Sequence, residues 1–230
     1  LENHFDDMQD IEFTIQENKL WMLQTRRGKR TGIAAIKIAT DMVKEKLITK
    51  EVAVGRVRPV QIYESLLKNI VAEDLNNNTP VSSGLPAGPG ASCGSAVFTA
   101  EKAEALGKKG KKVILIREET SPEDIHGMHY SEGILTSRGG LTSHAALVAR
   151  GWGKSCVVGC QELTIDKSHK FAKIADKKIK EGDQITLNGS SGDIYVGGLR
   201  LFQNPIDNAG PLSQLLSWAD KIRKLKIRTN

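Results

Sequence analysis

Apolar and polar residues alternate between Met8 and Gln24. Ile11, Phe13 and Ile15 fall between Glu12, Thr14 and Gln16, which predicts a strand. Glu17-Asn18-Lys19 supplies a turn, and Leu20 to Gln24 returns. A period of two projects Asp10 and Glu12 from one face of the first strand. Gln24 and Arg26 stand two apart on, or just beyond, the second. From Thr31 to Ile48 the period becomes helical, with Ala35, Ile38, Ala39, Met42 and Val43 in one stripe. A second helix is predicted from about Pro59 to Leu75, striped by Ile62, Leu66, Leu67 and Ile70. The turn-rich run from Asn76 through Pro80 to Gly84 predicts a domain boundary.

Beyond it, 84–91 reads as a loop leading into a strand at Ser95–Phe98. A short helix is predicted at Ala100–Leu106 and a buried strand at Lys112–Arg117. Thr120-Ser121-Pro122-Glu123-Asp124 is a helix start, with Pro tolerated in the first turn. Ile134-Leu135-Thr136 and Cys156-Val157-Val158 are further strands, with a helix over Thr142–Arg150 between them. Asp183–Gly197 reads as a hairpin and Leu212–Ile227 as an amphipathic helix. Strands alternating with short helices predict an α/β fold.

Composition removes several function classes. Apolar residues make up 39% and charged residues 26% of the 230, ordinary for a globular chain. No apolar run approaches the ~18 residues of a membrane span. The start shows no secretory signal, so a non-secreted protein is expected, in the cytoplasm or in an organelle such as a plastid. It also lacks an initiator Met, which predicts that the chain is cut from a longer one. Three cysteines, with Cys156 and Cys160 in C-x-x-x-C spacing, predict buried thiols and neither a disulfide set nor a zinc site. The net charge of +6 raises nucleic acid as a partner. Yet the basic clusters at 108–112, 167–180 and 221–228 carry no interleaved aromatics, so solvated faces and an anionic small substrate are expected instead.

One segment carries chemistry of its own: Gly139-Gly140-Leu141-Thr142-Ser143-His144-Ala145-Ala146. The glycines allow a tight turn and close approach to a ligand. Thr142 and Ser143 can each cap the helix that follows. His144 then falls in the first helical turn, where free N–H groups and the dipole favour an anion. A neutral imidazole there can act as a nucleophile toward a phosphoryl group. A structural His at a helix start is the competing account of these residues alone. Arg138 and Arg150 flank the segment as candidate partners for phosphate charge.

The stretch "GGLTSHAALVARGWGKSCVVGC" resembles the phosphohistidine motif of the pyruvate, phosphate dikinase family, among the phosphoenolpyruvate-utilising enzymes. "REETSPEDIHGMHYSEGILTSRGG" resembles the approach to that motif. "MQDIEFTIQENKLWMLQTRRGKRTG" resembles the end of the family's ATP-grasp domain, and "WADKIRKLKIRTN" its linker into a C-terminal barrel. The resemblance implies four regions: the ATP-grasp edge at 1–30, a helical linker at 31–80, a swivelling β/β/α phosphohistidine domain at 81–203, and a linker helix at 204–230. Hinges are expected near 76–83 and at 204–207.

By the same resemblance, His144 is the phosphorylated nucleophile, supported by Gly139, Gly140, Thr142, Ser143 and Arg138. Asp10 and Glu12 face Mg²⁺, and Gln24 and Arg26 contact nucleotide phosphates. Thr142 matches a residue that a regulatory kinase phosphorylates in plant members. The implied reaction converts ATP, phosphate and pyruvate to AMP, pyrophosphate and phosphoenolpyruvate, with Mg²⁺ and, in some members, a monovalent cation. Neither is expected to bind tightly to this polypeptide, because the nucleotide lobe and the pyruvate barrel lie outside it. A homodimer is implied for the whole enzyme and a monomer for this chain, with no membrane and no nucleic-acid partner. Two other functions compete. One is the carrier of a phosphoenolpyruvate synthase or of a sugar phosphotransferase system. The other is a basic nucleic-acid-binding module with a structural His144.

Overall fold

The structure, a computed structural model, describes residues 1–166, 170–203 and 210–226. In chain order its elements begin with α1 (Glu2–Phe5), β1 (Gln9–Gln16), β2 (Lys19–Arg27), α2 (Gly32–Lys44), α3 (Lys50–Arg56) and α4 (Pro59–Leu66). There follow β3 (Asn69–Ile70), α5 (Ala72–Asn77), β4 (Ser82–Ser83), β5 (Leu85–Gly88), β6 (Ala91–Val97), α6 (Ala100–Gly107) and β7 (Val113–Arg117). Then come α7 (Ile125–Tyr130), β8 (Gly133–Thr136), α8 (His144–Gly151), β9 (Ser155–Val158), β10 (Leu163–Ile165), β11 (Phe171–Ile174) and β12 (Lys177–Lys180). The last are β13 (Gln184–Asn188), β14 (Asp193–Val196), β15 (Leu201–Phe202) and α9 (Pro211–Ile222). Two compact units divide at Leu66/Leu67 and Gln203/Asn204.

In the first unit, β1 and β2 form the expected hairpin. Glu17 and Asn18 both take positive φ, the backbone that a tight two-residue turn requires. The register sets Asp10 opposite Arg26 and Glu12 opposite Gln24. Thr31 caps α2 by accepting the Ala34 N–H. The helices meet at Ile36, Ala39, Ala53, Val57, Leu215 and Trp218. Ile36, outside the predicted stripe, is buried, whereas Ile38 is only half-buried. The closing helix ends at Ile222, short of the predicted Ile227, which lies outside the described residues.

Asp7 ties this unit together. Its buried carboxylate accepts from Arg27 at 2.7 Å and from Arg30 at 2.9 Å. Burial alone would raise its pKa, but the Arg30 and Arg27 hydrogen bonds outweigh it and hold the carboxyl below its usual 3.8. A depressed folded pKa means that the stabilisation is complete above the unfolded value and is lost as pH falls through the folded one. The thermal midpoint of the first unit should therefore fall as pH drops below about 4, and Asp7→Asn should flatten that acid limb, as followed by circular dichroism.

The second unit is built on a sheet ordered β4-β14-β13-β6-β7-β8-β9-β5. Strands β6 to β9 are mutually parallel and their outer neighbours antiparallel. Parallel strands are covered on both faces and read as unbroken apolar runs, as VILIR does. One face packs Ile114, Ile116 and Leu135 against Leu163, Ile174 and Ile179 of the small β10-β11-β12 sheet. The other packs Leu115, Ile134 and Val158 against Ala103 of α6, Met128 of α7 and Ala146 and Ala149 of α8. These are the three layers, sheet on sheet on helices, of the expected β/β/α class. Cys156 and Cys160 are buried, and burial pushes the Cys156 thiol up to about 12, leaving it protonated and inert. Cys93 is only half-buried.

Three expectations are corrected. The helix predicted at 59–75 breaks after Leu66, because Asn69–Ile70 pair with Leu201–Phe202 and the Lys68 carbonyl accepts the Ala91 N–H. The run at 76–83, expected to hold a boundary and a hinge, lies inside the second unit. There the Val81 N–H donates to Ile194 O, and Ser82–Ser83 pair with β14. The contacts thus divide the chain at 66/67 and not at 80/81. Finally, 85–88 is an edge strand beside β9, with a register shift after Pro86, and edges and bulges are where a sheet tolerates proline. The other expected hinge, 204–207, lies outside the described residues.

Candidate phosphoryl-acceptor site

The carboxyl ends of parallel strands are where α/β sheets bind ligands. Here the loops after β7 and β8 meet. Ser137 N donates to Arg117 O and Arg138 N to Glu118 O, while the Thr136 hydroxyl donates to Arg138 O at 2.6 Å. The chain then turns at Gly139, whose φ of 106° is left-handed and whose absent Cβ would lie 3.0 Å from Ser143 Cβ. A Cβ on Gly140 would meet nothing within 4 Å, so this side of the loop is open.

Ser143 is the N-cap of α8 and accepts the Ala146 N–H, so Thr142 is not the cap and stands exposed. His144 is the first helical residue and half-buried. Its Nδ1 lies 3.1 Å from Oγ1 of Thr120, a residue only 5% exposed. An Nδ1–H donating to Thr120 leaves Nε2 as the lone-pair nitrogen, and Nε2 has no protein partner among the described residues.

Arg150 reaches back to donate to the Ala146 carbonyl at 3.2 Å and to the Leu141 carbonyl, so its guanidinium braces the loop. Arg138 is exposed and has no acidic partner among the described residues. Sequence reasoning did not single out Thr120, nor Arg117, which pairs with buried Asp124 at 3.4 Å just behind the loop. Thr120 lies in the "ETSPED" run, which reads as a helix start and as part of the approach to the phosphohistidine motif, with no role for its hydroxyl. The signal that could have found it is its place one loop after a buried strand, next to a capping box.

Thr120→Val keeps the shape and removes the hydroxyl. Any phosphoryl transfer to His144 should slow about tenfold in this variant, because both imidazole tautomers become available. Thr120→Ser should restore the rate. Rates of label transfer check this.

The second set of predicted residues sits on the hairpin of the first unit. Arg26 bonds Asp10 at 2.8 Å and Glu12 at 3.4 Å, which places the two acids and the arginine on one face. All three are half-exposed. Gln24 is also exposed and stands opposite Glu12. Two carboxylates two residues apart suit a hard divalent cation, and among the described residues no larger cluster of metal-ligating side chains occurs. Asp10 and Glu12 would therefore supply part of a Mg²⁺ shell and leave the rest to phosphate oxygens and water. The hairpin set and the His144 set belong to different units.

The second unit is a β/β/α layer stack with a histidine opening a helix at the carboxyl edge of its sheet. The family model described as "PEP-utilising enzyme, mobile domain" matches residues 109–192, and "Pyruvate phosphate dikinase, AMP/ATP-binding domain" matches 1–47. The chain is 51% identical over all 230 residues to pyruvate, phosphate dikinase 1, chloroplastic, of Arabidopsis thaliana, covering 24% of that protein. It is 49% identical over the same length to pyruvate, phosphate dikinase 2 of Oryza sativa subsp. japonica, covering 26%. With the chloroplastic enzyme of Mesembryanthemum crystallinum the identity is also 49%, covering 24%. Along its whole length the chain is thus similar to pyruvate, phosphate dikinases. It spans about a quarter of the length of the curated relatives it matches.

Proposed function

We propose that this chain is the phosphoryl-carrying part of a pyruvate, phosphate dikinase, with His144 as the carrier. The single observation that supports this most is the 3.1 Å contact between His144 Nδ1 and buried Thr120, at the first residue of α8. It directs nucleophilicity to Nε2 and places that nitrogen where helix N–H groups favour incoming negative charge.

The chemistry runs in three steps. Nε2 attacks the β-phosphorus of ATP, the bond from that phosphorus to the α–β bridging oxygen breaks, and AMP leaves. Inorganic phosphate then attacks the outer phosphorus of the pyrophosphohistidine and departs as pyrophosphate. Pyruvate, as its enolate, takes the remaining phosphoryl group from Nε2 and leaves as phosphoenolpyruvate. On the hairpin, Arg26 would turn from its two carboxylates to the phosphates with Gln24, while Asp10 and Glu12 would hold a Mg²⁺ ion, whose contribution when bound would be charge neutralisation. The loop of Gly139, Gly140 and Ser143 positions His144, and Arg138 offers a cation with no acidic partner among the described residues. A swivelling motion of the second unit would serve reaction centres too far apart for one fixed histidine. Phosphate on Thr142, two residues ahead of His144, would crowd the acceptor with negative charge, a regulatory use of that exposed hydroxyl. Relatives named chloroplastic point to an organelle as the compartment.

Phosphoryl transfer depends on positioning and charge neutralisation, so this polypeptide by itself should neither bind ATP tightly nor make phosphoenolpyruvate. Given labelled phosphoenolpyruvate and a separately supplied family barrel domain, it should acquire an acid-labile, alkali-stable label. Failure to label, together with salt-sensitive RNA binding, would favour the nucleic-acid module.

A further inference from the structure

The first unit holds a cavity of about 650 Å³ that none of this chemistry uses. Arg27, Lys29, Arg30, Arg56 and Arg58 line it, with Asp7 as their one carboxylate. Asp7 is committed to three of the guanidinium groups, at 2.7 Å from Arg27, 2.9 Å from Arg30 and 3.6 Å from Arg56. Lys29 and the Arg58 guanidinium have no acidic partner among the described residues. Five cations around one acid leave a concentrated positive field in a concave, partly desolvated space, where an anion gains more than on an open surface. One wall is different in kind: Ile38, Ala39 and Met42 of α2 face the same space and offer apolar contact. The volume falls in the range of small-molecule sites.

This cavity is not the nucleotide face of the hairpin. Successive strand residues point to opposite faces. Arg26 turns to Asp10 and Glu12, while Arg27, the next residue, turns to Asp7 and the cavity.

We propose that the cavity is a second anion site, set on the reverse of the hairpin, for a phosphorylated organic molecule. Its phosphates sit among Lys29, Arg30 and Arg58, and its carbon body lies against Ile38 and Met42. Guanidinium groups give paired, directional hydrogen bonds to phosphate oxygens, which separates such a ligand from a simple halide or carboxylate.

The test is calorimetric titration of the 230-residue chain with pyrophosphate and with ADP, each without divalent metal, at about 0.15 M salt so that diffuse attraction is screened. Both should bind saturably, ADP more tightly, and both should raise the thermal midpoint. Lys29→Ala with Arg58→Ala should weaken both by about tenfold or more, since each removes a charge-assisted contact. Both side chains are exposed and lie outside the Asp7 network, so folding should be unchanged. Arg26→Ala should leave binding as it is. No saturable binding, or binding lost in Arg26→Ala and kept in the Lys29/Arg58 variant, would overturn the site. Equal affinity for the two probes would overturn the role of the apolar wall.

Discussion

His144→Asn should abolish phosphoryl acceptance, lowering label incorporation at least about ten-thousand-fold, the scale on which a covalent nucleophile is lost. Asn keeps a polar group of similar reach at the first residue of α8 and can still approach Thr120, but its amide nitrogen has no basic lone pair. Ala145, Ala146 and Ala149 anchor the helix to the sheet, so the fold should stay intact. Unchanged circular dichroism beside a lost label would separate chemistry from folding. A label of wild-type size in His144→Asn would show that another residue carries the group.

Leu135→Ala should cost about 2–5 kcal/mol in stability. Leu135 is fully buried in β8, inside the layer where the large sheet meets β10-β11-β12, and truncation leaves a cavity between two sheets that cannot both close on it. The next residue, Thr136, holds the Arg138 carbonyl at 2.6 Å, so the glycine loop should loosen as well. Urea denaturation should show a lower midpoint with an unchanged slope, the mark of a cavity in an otherwise native fold. A cost below about 1 kcal/mol would mean that the two sheets are not packed as described.

What the amino-acid sequence displayed and what it hid follow from the period of each signal. The β1–β2 hairpin was legible because its alternation runs over many residues and the turn carries Asn18, at ease with positive φ. That alternation also set Asp10 and Glu12 on one face, whereas the pairing of Asp10 with Arg26 comes from the strand register. VILIR was legible because a strand buried on both faces has no polar positions. Strands β10 to β12 were missed, because they are three or four residues long and their outward face is crowded with lysine. The solvated face inferred there was real, but Ala172, Ile174 and Ile179 beneath it are fully buried. The stretch 59–75 failed for another reason. Ile70 does point inward, but as part of a two-residue strand paired with Leu201, a contact no local period can announce.

The site divides in the same way. His144 stood out because glycines, hydroxyls and an imidazole are concentrated in six residues. Thr120 is 24 residues earlier, and only the parallel pairing of β7 with β8 brings the two loops together. Thr142 and Ser143 are equivalent caps by residue type. The structure assigns the cap to Ser143 because its backbone is extended where α8 begins, which leaves the Thr142 side chain exposed.

The most direct test of the central claim is ³¹P–¹⁵N nuclear magnetic resonance of the ¹⁵N-histidine-labelled chain after phosphorylation from phosphoenolpyruvate and the family's barrel domain. The account predicts one phosphohistidine, at His144, bonded through Nε2 while Nδ1 keeps its proton toward Thr120. A phosphorus coupled to Nδ1, or bound to any other residue, would contradict it.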